Sequence, residues 1–182
     1  MSKPNLWAPW RMDYLEELGG DNPPGQEPKE KGGSGCFLCD AAEPDLTPDR
    51  RRERLVLRRD DHGVVLLNRY PYTNGHLLVA PLVHVAGLTD LDAPTRAGLM
   101  ELCDWAVRLL TDVVNPQGFN VGANLGRAAG AGVPGHLHFH VVPRWAGDTN
   151  FMDVVGGVRV IPQALEASYA RLSAAADACP PR

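Results

Sequence analysis

Short apolar runs of strand length punctuate the middle of the chain: RLVLRR at 54–59, GVVLLN at 63–68, HLLVAP at 76–81, GFNVGAN at 118–124 and HLHFHVV at 136–142. They are rich in Val and Leu and bounded by Gly, Pro and Asn, the pattern of β-strands separated by turns. RYPYTNG, between the second and third, carries the Pro and Asn-Gly of a tight turn. One stretch has a different period. Leu99, Leu102, Ala106, Leu109 and Val113 recur at helical spacing and predict a helix over 93–114. Asp92 stands ahead of Pro94 as its N-cap, and Asn115-Pro116 stops it. A last helix is expected over 162–175. Consecutive strands with short connections and few helices predict an α+β fold on a five-stranded antiparallel sheet, with one long and one C-terminal helix. There are no internal repeats.

The flanks read differently. Residues 1–18 hold LWAPWRMDYL, and Trp7, Trp10 and Tyr14 are too apolar for a free tail. The expectation is a segment that docks on the domain or a partner subunit. Residues 19–35, of Gly, Pro and charge, form a flexible linker. The domain with its C-terminal extension occupies 36–182.

Composition narrows the partners. A net charge of −4 over 182 residues leaves no global basic footprint for nucleic acid. The local run DRRRERLVLRR reads as a solvated face. No apolar stretch approaches the roughly 20 residues of a membrane span, and no signal-peptide pattern opens the chain, so the expected compartment is the cytoplasm. Four cysteines, two of them in CFLC, suit a reduced compartment better as metal ligands than as disulfides.

His136, His138 and His140 are half of the six histidines. Alternate side chains of a strand share a face, so the three project together while Leu137, Phe139 and Val141 point to the core. Three explanations stand. They are surface residues of an edge strand; or they bind one metal; or they divide their roles. A single metal is opposed by distance: at about 3.3 Å per residue the outer two lie ~13 Å apart, whereas zinc binds nitrogen at about 2.1 Å.

HLHFHVV fits His-φ-His-φ-His-φ-φ, with φ apolar, and resembles the histidine triad (HIT) family. NRYPYTNGHLLVAPLVHV resembles the upstream segment of the family's fragile-histidine branch, and PRWAGD resembles the segment just after the triad there. LWAPWRMDYL and GDTNFM are similar to the bacterial branch that acts on diadenosine tetraphosphate. The match runs from about Cys36 to Met152. The resemblance implies that His138 attacks the α-phosphorus of a nucleotide, with His140 and His76 stabilising its charge. It implies that Asn68 bonds the ribose hydroxyls and that Asn124 contacts the phosphate region. Gly130, Ala131 and Gly132 of the glycine-rich loop would offer backbone N–H groups to phosphate. The loop departs from many relatives in having no Ser or Gln in AGAGVPG.

CFLC alone is compatible with redox chemistry or two unpaired thiols. In zinc-bearing HIT relatives and galactose-1-phosphate uridylyltransferases, two such cysteines join a histidine after the third strand and the first triad histidine. The resemblance therefore implies a closed, structural zinc site of Cys36, Cys39, His84 and His136. The uridylyltransferases carry glutamine where this chain has His140, so the full triad favours nucleoside polyphosphates over hexose phosphates. The expected function is a nucleotidyl hydrolase or transferase cleaving dinucleoside polyphosphates by hydrolysis or phosphorolysis. The alternatives are a nucleoside phosphoramidase or a non-catalytic, zinc-stabilised nucleotide sensor. A homodimer is expected, with Val113, Val114 and Phe119 near its edge.

Overall fold

The strands β1 (Val56–Arg59), β2 (Gly63–Leu67), β3 (Leu77–Pro81), β4 (Gly118–Ala123) and β5 (Phe139–Arg144) form one sheet in the order β1-β2-β3-β5-β4. Every pairing is antiparallel. The computed structural model describes residues 35–148, 161 and 163–180. The N-terminal apolar segment, most of its linker and the GDTNFM stretch beyond Asp148 lie outside the described residues.

The α+β architecture agrees with the sequence reading, and the order of strands adds to it. Helix α3 (Ala93–Val114) carries the chain from β3 across to β4, and the glycine-rich loop returns it as β5 between β3 and β4. The histidine strand is thus central, and the edge-strand explanation of the triad is excluded. The strand also starts later than expected, at Phe139 instead of residue 136. Opposite the missing turn of ladder, Pro81 has no N–H to give. Its carbonyl meets the His136 ring, and Leu137 N–H donates to Val85 O.

Helix α3 begins at the Asp92 cap, whose carboxylate accepts from Thr95 N–H, and ends at Asn115 in the left-handed conformation. Leu99, Leu102, Ala106 and Leu109 are buried as the periodicity predicts. They pack with Val65, Leu67, Leu77, Val79, Leu137, Phe139 and Val141 in the main core. Each fully buried leucine contributes about 1.5–3 kcal/mol. Helix α4 (Leu165–Ala176) joins this layer through Tyr169 and Leu172. Tyr169 Oη–H donates to Val56 O at 3.1 Å, and Ser168 Oγ–H to Asn74 Oδ1 at 3.0 Å. Cys103 is core, with burial pushing its thiol up to about 12.

The other face of the sheet holds a smaller cluster of Leu38, Ala41, Val56, Val64, Leu66, Leu78 and Ala80. Its cover is the five-residue helix α1 (Phe37–Ala41), an element too short to show in the hydrophobic pattern. The arginine run ends in the buried Val56 and Leu57 of β1, where it is no solvated face, and begins as helix α2 (Pro48–Glu53), capped by Thr47. The helix buries no residue of its own, in keeping with a solvated face, yet its arginines are engaged. Arg50 and Arg54 both pair with Glu43, and Arg51 donates to Leu57 O.

Candidate active site and metal centre

Two clusters meet along the segment 136–140. The first is a group of potential metal ligands. Cys36 and Cys39 come from the start of α1, His84 from the turn after β3, and His136 from the approach to β5. Their donor atoms lie within 4.8 Å of one another, a grouping that could hold a metal ion. His136 Nδ1 is 3.4 Å from each sulfur, and His84 Nδ1 is 3.2 Å from Cys39 Sγ. The far nitrogen of His136, Nε2, donates to Pro81 O at 3.0 Å. That bond puts the proton on Nε2 and leaves the Nδ1 lone pair turned to the sulfurs.

The second cluster is His138, His140 and His76. His76 enters from β3's start, delivered by the Asn74-Gly75 turn. Gly75 has φ +78, where a Cβ is strained, and that atom would also press on Leu110 at 3.1 Å. His76 is fully buried and His138 nearly so. His138 Nδ1–H donates to the His136 carbonyl at 2.8 Å, so Nε2 keeps its lone pair. His138 and His140 stand with ring centroids 5.0 Å apart at 67°, and His76 and His140 at 5.1 Å. Burial holds the His138 imidazole below the usual histidine range, against the opposing bond to His136 O. Burial, and then the proximity of His138, push His140 down to about 4. Both rings are neutral near pH 7.

His140 thereby couples the site to stability. Its pKa is about 4 in the fold against 6.5 in the open chain. Between those values the unfolded chain binds a proton that the fold refuses. The neutral ring's contribution is fully present above pH 6.5 and is lost as pH falls towards 4. A His140→Asn protein, followed by denaturant titration across this range, is expected to lose less stability on acidification than the wild type.

The structure brings His76, His138 and His140 together, and separately Cys36, Cys39, His84 and His136. Asn68 lies against His76, its Nδ2 3.2 Å from His76 Nδ1. Asn124 donates to Gly130 O at 3.3 Å and so braces the glycine loop. That loop closes on itself. Gly130, at φ +87, gives its N–H to Arg127 O, and Ala131 gives its N–H to Gly126 O. Those two N–H groups are spent on the turn. Sequence reasoning missed Tyr72. Its N–H donates to His76 Nδ1 at 3.1 Å, and its ring lies 4.7 Å from that of His76 and 5.8 Å from that of His140. Nothing in NRYPYTNGH marks that tyrosine beyond its place in the turn. His62 is exposed and packs on Gly98.

The HIT domain model matches residues 50–147. AP-4-A phosphorylase of Mycobacterium tuberculosis (strain CDC 1551 / Oshkosh) is 42% identical over 160 residues, covering 88% of this chain and 77% of that one. Among solved structures, a Zn-bound histidine triad family protein from Mycobacterium smegmatis superposes with a TM-score of 0.61 at 30% identity, over 79% of this chain and 94% of that chain. A hypothetical histidine triad nucleotide-binding protein from Sulfolobus tokodaii gives 0.60 at 26% identity, over 79% and 91%. Three imidazoles at alternate positions leading into the interior strand β5, a family model spanning that strand and these relatives across most of the length lead to one conclusion: the chain belongs to the HIT domain family.

Proposed function

We propose that the protein is a nucleotidyl transferase that cleaves dinucleoside polyphosphates such as diadenosine tetraphosphate. The observation that carries the reading is the pair of neighbouring imidazoles with opposite faces. His138 offers a bare Nε2, because its proton is held by His136 O. His140 Nε2 is buried and makes no hydrogen bond among the described residues. A nucleophile and a donor for phosphoryl oxygen therefore stand side by side. The 42% identity to AP-4-A phosphorylase supports this substrate class.

In the first step His138 Nε2 forms a bond to the α-phosphorus and the bond to the bridging oxygen breaks. From diadenosine tetraphosphate the leaving group is ATP, and AMP remains on His138. His140 and His76 steady the charge on the phosphoryl oxygens. In the second step phosphate takes the AMP to give ADP, or water takes it to give AMP. Asn124 and the glycine loop shape the phosphate side, with Gly132 N–H the loop's remaining donor in the trio Gly130, Ala131 and Gly132. Incubation with diadenosine tetraphosphate, with and without phosphate, checks the reading. ATP with ADP is expected in phosphate, and ATP with AMP in its absence. An unconsumed substrate in both would refute it.

The Cys36, Cys39, His84 and His136 set fits zinc. Bonds of about 2.3 Å to sulfur and 2.1 Å to nitrogen give a tetrahedral S–N edge of about 3.5 Å, close to the 3.2–3.4 Å found. With four protein ligands the metal is structural and leaves no position for substrate. Two thiolates that must stay reduced agree with a cytoplasmic setting. Among the described residues no helix is long and apolar enough to cross a membrane. Strand β4 is a sheet edge with Val121 exposed, next to the partly buried Val113, Val114 and Phe119. A second copy covering that edge completes the proposal, and light scattering at micromolar concentration is expected to give the mass of a dimer.

A further inference from the structure

The amide of Asn68 has a determined orientation. Its Oδ1 accepts from Tyr70 N–H at 3.0 Å, so Nδ2 is the atom that faces His76 Nδ1 at 3.2 Å. Tyr72 N–H points at the same nitrogen from 3.1 Å. With two N–H donors aimed at it, Nδ1 of a neutral His76 carries no proton. The ring's single proton is on Nε2. That Nε2–H meets His140 Nδ1 at 3.0 Å. His140 Nδ1 is then an acceptor in its turn, and the His140 proton sits on Nε2, the buried atom with no partner among the described residues.

We propose that Asn68 is a positioning residue for His140: acting through His76, its amide decides which His140 nitrogen carries the proton, so that His140 shows the reacting phosphoryl group an N–H and not a lone pair. This rests on the function proposed above and gives Asn68 a task other than holding ribose. The Tyr72 N–H shares the work, and its peptide is fixed by the turn. Removing the Asn68 amide therefore loosens the arrangement, while reversing its polarity inverts it. In Asn68→Asp one carboxylate oxygen still accepts from Tyr70 N–H, and the other replaces a donor at His76 Nδ1 by an acceptor. A proton is then drawn onto Nδ1. His76 becomes either the Nδ1–H tautomer, which pushes the His140 proton off Nε2, or a cation.

Nitrogen-15 spectra of the imidazoles in the full chain, with its metal as purified, read the protonated nitrogen directly. The wild type is expected to show His76 and His140 each protonated on Nε2 alone. Asn68→Asp is expected to show His76 protonated on Nδ1. A His76 Nδ1 that stays bare in Asn68→Asp overturns the proposal. This readout needs no turnover, so its failure is distinct from failure of the proposed activity.

Kinetics on diadenosine tetraphosphate add a second arm, which also serves where Asn68→Asp does not fold. Asn68→Ala is expected to lower kcat about 10-fold, short of the roughly 100-fold or more for loss of the donor itself, with KM nearly unchanged. The same fold-loss is expected on a substrate whose riboses lack the 2′ and 3′ hydroxyls. A penalty confined to KM that vanishes with the hydroxyls means a ribose contact and overturns the proposal.

Discussion

His138→Ala is expected to lose essentially all turnover of diadenosine tetraphosphate and still bind nucleotide. The His138 ring is held by its Nδ1–H bond to His136 O, and in the proposed reaction its other nitrogen is the nucleophile. Alanine removes the atom that would carry the nucleotide, and no neighbour replaces it. His140 Nε2 carries a proton in the arrangement inferred above, and His76 Nε2 is engaged with His140 Nδ1. His140→Ala removes a donor and leaves the nucleophile. Its loss is expected near 3–4 kcal/mol of transition-state stabilisation, about 10²–10³ in rate. His136→Ala acts by a third route, through a metal ligand and the fold. The nucleophile also implies a chemical species. A phosphoramidate on nitrogen is acid-labile and base-stable, so rapid quench into base followed by mass spectrometry is expected to find AMP on His138 during turnover. Wild-type hydrolysis by His138→Ala would remove the nucleophile from the triad, and three histidines at alternate positions would need another explanation.

Much of the fold was legible in residues 36–148. Apolar period and turn residues mark five strands and the long helix, because both signals are local. The ligand set came from likeness to zinc-bearing relatives: Cys36 and Cys39 are close in sequence, but only the fold brings His84 and His136 beside them. Two short helices escaped. Helix α1 has five residues, less than two turns, and no period emerges from so few. Helix α2 did announce itself, with Thr47 as N-cap and Pro48 at its first position, but a run of arginines masked that signal as simple surface.

The proton arrangement was not legible at all. It depends on Asn68, Tyr72, His76 and His140, which are local in part but meet His140 only because β5 inserts beside β3. Likeness to the HIT family gives Asn68 a ribose contact; only the bond from Tyr70 N–H reveals which way that amide turns. The same limit applies to the glycine loop. Its composition permits backbone N–H groups to meet phosphate, but the bonds of Gly130 and Ala131 within the loop decide which remain to do so.

Cys36→Ala is expected to release zinc and lower the melting temperature sharply, and the reason lies in what the four ligands join. Helix α1 is too short to hold itself and buries only Leu38, Asp40 and Ala41. Its cysteines tie it to His84 beyond β3 and to His136 before β5, and so close the smaller apolar cluster over Val56, Val64, Leu66 and Leu78. Structural zinc sites bind with apparent free energies of about 10–16 kcal/mol in small domains, so loss of one thiolate costs several kcal/mol even where the sheet survives. The effect reaches the reaction as well. The His136 side chain belongs to the proposed zinc site, and its carbonyl accepts from His138 Nδ1–H. A loosened His136 lets His138 turn, so activity is expected to fall with metal content. Protein purified without added metal is expected to hold about one zinc per chain by elemental analysis. Cys179→Ser, a cysteine outside the ligand set, is the control and is expected to keep it. A Cys36→Ala protein that retained both its zinc and its melting temperature would show that α1 is anchored by packing alone.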